Sequence, residues 1–192
     1  MSFDKEVLMI DPAAETERLV SLLRHNMGQV LRRRGAVVGI SGGIDSSVVL
    51  ALCVRAFGPD RVTAVMMPEK DSDPDSEQLS RLLAHHYGVE PILEDITPVL
   101  EGFGCYRRRD EAIRRVFPEY DTAVGYKAKI VLPDNLLEDN SLNVFSLVIV
   151  TQDGQEKCAE LSMPDYLQIV AASNFKQRTR MAMLYFHAEL RH

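Results

Sequence analysis

Short apolar segments alternate with helical patterns over the N-terminal half of the chain. The segments are short enough for strands that are buried on both faces of a sheet. The helical patterns between them are long enough to connect parallel strands. The spacing predicts helices over residues 12–34, 46–57 and 74–87, and strands over residues 36–40, 61–67 and 89–96. This alternation predicts an α/β fold with a doubly wound, mainly parallel sheet.

The first predicted helix carries one row of apolar side chains. They recur with the helical period, so we expect a single buried stripe that ends at Gly35. The apolar positions are Leu19, Val20, Leu22, Leu23, Met27, Val30 and Leu31. Ligands bind such sheets beyond the carboxyl ends of the strands, so the loops after Ile40 and Met67 are the candidate sites.

The C-terminal half has a different pattern. A short basic helix is predicted over residues 106–117, and residues 127–163 lose the helical period. Within that stretch, residues 143–151 are strongly β-forming, residues 152–155 form a turn, and residues 156–163 return antiparallel. A last helix follows from residues 164–165 towards the C-terminus. We therefore expect an inserted antiparallel β element, the 127–163 insert, within a single domain over residues 1–192.

Composition and charge argue against several classes of protein. The chain has 192 residues, of which 46% are hydrophobic, and its net charge is −6. An acidic chain lacks the overall signature of a nucleic-acid binder. No run approaches the roughly 18 apolar residues of a membrane span, and the N-terminus is charged early. The three cysteines are far apart, which suits reduced thiols. We expect a cytoplasmic protein with no nucleic acid or membrane partner.

The loop between the first strand and its helix carries the strongest signal. This glycine-rich loop, residues 39–47, comprises Gly39, Ile40, Ser41, Gly42, Gly43, Ile44, Asp45, Ser46 and Ser47. Adjacent glycines let backbone N–H groups approach an anion, the serine hydroxyls can donate to phosphate oxygens, and the helix N-terminus is partly positive. The alternative is that these residues only turn the chain and cap the helix.

Asp45 indicates a metal at this anion site. A carboxylate would repel phosphate unless a cation lies between them, which favours Mg²⁺. The loop lacks the lysine of a Walker A motif and the three-glycine spacing of a dinucleotide fingerprint.

The string S-G-G-x-D-S resembles the PP-loop of the N-type ATP pyrophosphatases. A second string, residues 174–181, is similar to the N-x-K-A-R-x-R-M segment of NAD synthetases. The resemblance implies that ATP adenylates the carboxylate of nicotinic acid adenine dinucleotide (deamido-NAD), releasing pyrophosphate, and that ammonia then displaces AMP. It implies that Asp45 binds Mg²⁺ and that Arg178 contacts the dinucleotide. The implied ATP-binding residues are Gly39, Ile40, Ser41, Gly42, Gly43, Ile44, Asp45 and Ser46.

Two groups of charged residues have alternative interpretations. Lys176 and Arg180 share a helix face and Arg178 points elsewhere; all three are candidate substrate contacts or a solvated face. The loop over residues 69–76 could hold Mg²⁺ or nucleotide, or Asp73 before Pro74 could simply cap the next helix. Many NAD synthetases have a basic residue near the end of the second strand, where this chain has methionines.

The chain also departs from the resembled family. Simple NAD synthetases lack the 127–163 insert in this form, and they continue past the arginine-containing helix into further site residues. We therefore expect the 192 residues to be the N-terminal part of a longer protein. The alternatives are a PP-loop amidotransferase for another carboxylate and a catalytically incomplete nucleotide-binding module. The resemblance implies a homodimer, and ammonia from solution or from a separate glutaminase.

Overall fold

The computed structural model describes residues 9–132 and 145–191. The chain divides into two compact units. The first comprises the described residues up to Thr97 together with those from Arg180 onward, and the second comprises those from Pro98 to Thr179. None of the helices in the described stretches is both long and apolar enough to span a bilayer. A single domain over residues 1–192, incomplete at its C-terminus, stays a prediction.

The first unit is built around a parallel sheet of three strands. Its elements are α1 (Pro12–His25), β1 (Ala36–Ile40), α2 (Ile44–Phe57), β2 (Val62–Met66), α3 (Pro74–His86) and β3 (Ile92–Leu93). The strand order is β1-β2-β3, and β1 pairs with β2 from Ala36↔Val62 to Ile40↔Met66. This arrangement confirms the α/β fold class with a parallel sheet.

The third strand is much shorter than the predicted 89–96. The N–H of Val89 donates to the carbonyl of Ala84 at 2.9 Å and so closes the end of α3. Pro91 has no N–H to donate to a neighbouring strand. Pairing with β2 nevertheless extends beyond β3, because Glu94 N donates to Met66 O at 2.9 Å.

One face of this sheet forms the core of the first unit. The buried side chains of β1 and β2 pack against α2 and α3, and each fully buried aliphatic side chain contributes roughly 1.5–3 kcal/mol. The cluster comprises Val38, Ile40, Leu50, Cys53, Val62, Ala64, Met66, Ala84 and Val89. Alternate residues of β1 supply it, as expected for one face of a strand.

The predicted helix over residues 12–34 is wrong in its length. Its buried stripe is confirmed in part, because Leu19, Leu23 and Met27 are half-buried beside the buried Val20. The α-helix ends at His25 and continues as a π-helical segment, Asn26–Val30. Only Val20 is buried in α1, whereas Leu22, Val30 and Leu31 are exposed. The segment ends where Arg32 takes a left-handed conformation with φ 53°, so Gly35 is not its terminator.

The second unit combines helices with an antiparallel sheet. Its elements are α4 (Thr97–Gly102), α5 (Cys105–Val116), β4 (Lys127–Val131), β5 (Ser146–Val150), β6 (Glu156–Glu160) and the first part of α6 (Met163–Glu189). The order β4-β5-β6 confirms an antiparallel β element in the fold. The structure adds α4 and β4, which were not predicted as separate elements. Residues 143 and 144 of the predicted strand lie outside the described residues.

The last helix reaches the first unit through its C-terminal turns. His187 is 4% exposed, and its Nε2 lies 2.8 Å from Glu94 Oε1. Arg191 Nη1 lies 3.1 Å from His187 Nδ1. A guanidinium only donates hydrogen bonds, so Nδ1 accepts and Nε2 carries the proton that goes to Glu94. This chain of bonds holds the end of α6 against the residue that follows β3.

Gly35 has a structural role before β1, which a substitution tests. A Cβ atom there would lie 2.1 Å from the carbonyl oxygen of Arg61. We expect Gly35→Ala to lower the free energy of unfolding by about 2 kcal/mol or more, measured by urea denaturation, because main-chain atoms must move apart. Gly28→Ala is the control, since nothing lies within 4 Å of a Cβ there. Equal stability of the two variants would contradict this account.

Candidate functional site

The glycine-rich loop connects the carboxyl end of β1 to the first turn of α2. Gly43 is the N-cap of α2 and supplies no side-chain hydrogen bond. The other two helices of the sheet are capped differently: Asp11 accepts from Ala13 N at 2.9 Å in α1, and Asp73 accepts from Asp75 N at 2.9 Å in α3. The first N–H groups of an α-helix have no partner within it. The start of α2 therefore offers donors to an external anion.

Hydrogen bonds inside the loop fix its shape. The hydroxyl of Ser46 accepts from Ser41 N at 3.2 Å and donates to Gly43 O at 3.0 Å. Ser47 Oγ donates to the same carbonyl at 2.8 Å. The hydroxyl protons of Ser46 and Ser47 are thus used within the loop. An anion would meet mainly the backbone N–H groups of the first turn of α2.

Gly42 packs directly against α3. Its φ is +73°, and a Cβ there would lie 2.9 Å from Leu79 Cβ and 3.0 Å from Ser76 O. A side chain is excluded both by the left-handed conformation and by this contact. Gly43 is different, because only Ser41 Oγ would lie near its Cβ, at 3.4 Å. The two adjacent glycines therefore have separate roles: Gly42 lets the loop meet α3, and Gly43 leaves space above the helix start.

Asp45 lies exposed in the first turn of α2. A carboxylate there is stabilised by the partial positive charge of the helix N-terminus, so Asp45 also has a structural reason for its position. Among the residues that the structure describes, no group of three or more possible metal ligands occurs. Mg²⁺ commonly uses only one or two carboxylates together with phosphate oxygens and water. The donor set around Asp45 therefore fits Mg²⁺ held jointly by the protein and a polyphosphate.

The remaining predicted loop residues lie at the edges of this site. Ile40 is 4% exposed, so its side chain belongs to the core and only its backbone can face a ligand. A Cβ on Gly39 would lie 3.0 Å from Met67 Cε and 3.5 Å from Leu184 Cδ1. Ile44 is 77% exposed at the first position of α2.

The loop after β2 bonds to itself and caps α3. Asp73 is the N-cap of α3, and Pro74 follows it, so the capping interpretation of this pair is confirmed. Asp71 N donates to Glu69 Oε2 at 2.9 Å, and Glu69 N donates to Ser72 Oγ at 2.9 Å. The Glu69 and Asp73 carboxylates therefore stabilise the loop and the start of α3 through hydrogen bonds within the protein.

The three basic residues predicted on the last helix divide between the units. Lys176 and Arg178 belong to the second unit, and Arg180 belongs to the first with the glycine-rich loop. The Lys176 ammonium lies 5.6 Å from the centre of the Tyr106 ring, a cation–π contact. Arg178 is exposed. The two side chains of the second unit thus lie in different surroundings, as their helical spacing predicts.

The cysteines do not form a reactive group. Cys53 and Cys105 are buried, and Cys158 is exposed on β6. Burial raises the pKa of the Cys53 thiol, which disfavours the reactive thiolate. Chemistry that passes through a thiol therefore has little support from Cys53.

A glycine-rich helix start without a side-chain cap, beyond the carboxyl end of a parallel strand, is typical of phosphate-binding α/β proteins. Comparison with known proteins identifies the family to which this phosphate-binding type belongs. The family model described as NAD synthase matches residues 15–118. The chain belongs to the NAD synthase family.

Curated relatives support this assignment over nearly the whole chain. The NH(3)-dependent NAD(+) synthetase of Mesorhizobium japonicum is 50% identical over 183 residues, which are 95% of this chain and 56% of that protein. The enzyme of the same name from Rhizobium meliloti is 50% identical over 97% of this chain and 55% of its own length. The enzyme of that name from Thermotoga maritima is 35% identical over 91% of this chain and 56% of its own length. The chain spans about half the length of the curated relatives it matches.

A solved structure supports the fold. The NH3-dependent NAD synthetase from Campylobacter jejuni, in complex with the nitrate ion, matches with a TM-score of 0.57 at 20% identity. The match covers 95% of this chain and 54% of that one. At this identity the likeness concerns the fold alone.

Substitution of the two glycines separates loop stability from anion binding. We expect Gly42→Ala to lower the free energy of unfolding by about 1–3 kcal/mol, because it combines left-handed strain with the contact on α3. Gly43→Ala should lower it by only about 0.5–1 kcal/mol, yet weaken the binding of Mg²⁺–pyrophosphate several-fold by covering the first-turn amides. Urea denaturation and isothermal titration calorimetry measure the two effects. Unchanged pyrophosphate affinity in Gly43→Ala would argue against an anion at this helix start.

Proposed function

We propose that this chain carries the ATP-binding part of an ATP-dependent amide ligase that makes NAD. In the proposed reaction ATP adenylates the carboxylate of deamido-NAD and releases pyrophosphate, and ammonia then replaces AMP to give the amide. The observation that carries the proposal is the start of α2, which has no side-chain cap and lies within the S-G-G-x-D-S loop of a NAD synthase family member. The 50% identical relatives named NH(3)-dependent NAD(+) synthetase support the choice of substrates.

The loop residues have distinct parts in this proposal. The amides of the first turn of α2 hold the phosphates of ATP, and Ser41 and Ser46 keep the loop in shape through the Ser41 N to Ser46 Oγ bond. Asp45 holds Mg²⁺, which when bound supplies positive charge against the departing pyrophosphate. A carboxylate becomes a good acyl donor only when its oxygen is part of a leaving group, and fixed donors stabilise the charge of that group.

Arg178 is the proposed contact for the dinucleotide. It is exposed on α6, and its guanidinium can bind a phosphate through two parallel hydrogen bonds. Arg180 is a second proposed contact. Lys176 is a third, although its position over Tyr106 also gives it a packing role.

We further propose that a segment outside this chain completes the enzyme. The chain spans 56% of one relative and 55% of another, and in the described residues β1 pairs on one side only. The open edge of a strand such as β1 presents unpaired N–H and C=O groups with which a further strand can pair. The names of the relatives, NH(3)-dependent NAD(+) synthetase, support ammonia from solution or from a separate glutaminase as the nitrogen source.

A homodimer in the cytoplasm is also proposed. Leu22, Val30 and Leu31 are exposed along the first helical segment. Apolar side chains of this kind are suited to an interface between copies of the chain. The three cysteines are free thiols, which suits a reducing compartment.

An assay with the complete gene product tests the reaction. ATP, Mg²⁺, ammonia and deamido-NAD should yield AMP, pyrophosphate and NAD in equal amounts. Pyrophosphate release only with a different acid would instead support an amidotransferase for that acid. ATP binding without any pyrophosphate release would instead support a catalytically incomplete nucleotide-binding module.

Asp45→Asn tests the proposed metal ligand. Loss of the carboxylate should weaken Mg²⁺-dependent ATP binding about tenfold or more, because each tenfold corresponds to about 1.4 kcal/mol and a charged ligand is lost. Binding measured with and without Mg²⁺ by calorimetry isolates this contribution. Asp60→Asn is the matched control, since Asp60 lies in the turn that precedes β2, at the amino end of the sheet. Equal effects of both substitutions would remove Asp45 from the site.

A further inference from the structure

One exposed and one half-buried phenylalanine ring form a stacked pair in the second unit. The ring centres of Phe103 and Phe175 are 5.1 Å apart, with an angle of 23° between the ring planes. Phe103 is 49% exposed. We call this pair the aromatic platform. Phe103 directly follows α4, and Phe175 lies on α6.

The platform does not belong to the core of its unit. The other stacked pair of the second unit, Phe145 and Tyr166, packs against the buried cluster around Ile113 and Ile149. Neither Phe103 nor Phe175 is part of that cluster or of the side chains packed against it. Stabilisation of the core therefore does not account for the platform. The exposed Phe103 ring, backed by Phe175, is a candidate surface for stacking a flat ligand.

The platform is held rigidly. Phe103 N donates to Val99 O at 3.0 Å, which continues the last turn of α4. Cys105 is fully buried, and its Sγ donates to Ala172 O at 3.2 Å. Cys105 follows Phe103 by two residues and Ala172 precedes Phe175 by three, so this bond holds the two rings side by side. A preformed platform loses little conformational entropy when a flat ligand binds.

Two arginines lie beside the platform. Arg178 follows Phe175 by three residues on α6, so the two side chains are neighbours on the helix surface. Arg108 Nε donates to the main-chain oxygen of Phe103 at 3.3 Å, which places its guanidinium beside the backbone that carries the platform. A guanidinium is well suited to phosphate because its N–H groups match two phosphate oxygens.

Arg108 and Arg178 differ from three arginines of α5 that pair with carboxylates. Arg107 pairs with Glu111, Arg109 with Asp110, and Arg115 with Asp165. Within the described part of the chain, neither Arg108 nor Arg178 forms an ion pair with a carboxylate. Their charge is therefore not neutralised by a described acidic neighbour, and an anionic ligand would be attracted to them.

We propose that the aromatic platform stacks an aromatic ring of the dinucleotide substrate while Arg108 and Arg178 bind its phosphates. The chemistry recognised is a heteroaromatic ring joined through a sugar to phosphate. This inference rests on the proposed function, and it adds Phe103, Phe175 and Arg108 to the residues that bind the substrate. The phosphates of ATP are assigned separately to the glycine-rich loop.

The absence of tryptophan from the sequence allows a direct test. Phe103→Trp gives a protein with a single tryptophan on the platform, and its fluorescence should be quenched on titration with deamido-NAD. Tyr87→Trp is the control, because Tyr87 lies at the C-terminal end of α3 in the first unit. Quenching at position 103 alone supports the platform. No quenching at 103, or equal quenching at both positions, overturns it.

Titration with each half of the dinucleotide identifies the ring. Nicotinic acid mononucleotide should quench Phe103→Trp if the pyridine ring stacks, and AMP should do so if adenine stacks. Either result supports a platform for the dinucleotide and shows which of its two rings stacks there. Quenching by inorganic phosphate alone would show that only the arginines bind and would overturn the stacking.

Kinetics of the complete gene product separate this inference from the proposed function. Phe103→Leu should raise the KM for deamido-NAD roughly tenfold, the loss expected for one stacked ring, with kcat and the KM for ATP little changed. Phe103→Tyr should restore the wild-type KM, since it keeps the ring. An unchanged KM in Phe103→Leu overturns the platform while leaving the proposed reaction intact. A wild-type enzyme with no turnover of deamido-NAD would instead overturn the proposed function itself.

Discussion

The close packing of Gly42 against α3 determines the shape of the glycine-rich loop. A side chain at this position would meet Leu79 and the main-chain oxygen of Ser76, and the backbone is left-handed there. With that contact in place, the chain reverses after β1 and α2 begins at Ile44 with Gly43 as its cap. The cap has no side chain, so the first-turn amides lack the partner that aspartates provide in α1 and α3. Close packing at Gly42 thus leaves a candidate anion site at Gly43.

The two units contribute different chemistry to the proposed enzyme. The first unit offers main-chain donors and one exposed carboxylate, a combination suited to a polyphosphate with a metal. The second unit offers aromatic rings and guanidinium groups, a combination suited to a nucleotide. The last helix runs through both units, and the bond between His187 and Glu94 holds its end to the residue after β3. In the proposed function these two sets of groups serve a common substrate pair, ATP and a dinucleotide.

Local patterns in the sequence were sufficient for the first two parallel strands, the glycine-rich loop and the capping of α3 by Asp73, because each depends on neighbouring residues. The alternation of polar and apolar side chains at Lys127, Ala128, Lys129 and Ile130 is the local pattern that indicates β4. Other features depend on contacts between distant residues. The π-helical end of the first helix, the contact of Gly35 with Arg61, the pairing of His187 with Glu94 and the stacking of Phe103 on Phe175 leave no local pattern. The proposed function of the loop rests on the resemblance of its motif as much as on the uncapped start of α2.

The central claim is that the first turn of α2 binds the phosphates of ATP through its backbone. Amide chemical shifts in a ¹⁵N-labelled protein, followed during titration with Mg²⁺–pyrophosphate, measure this directly. The account predicts that the largest shifts occur at residues 42–46. Unchanged amides in this loop, with the shifts confined to the arginines of α5, would contradict it.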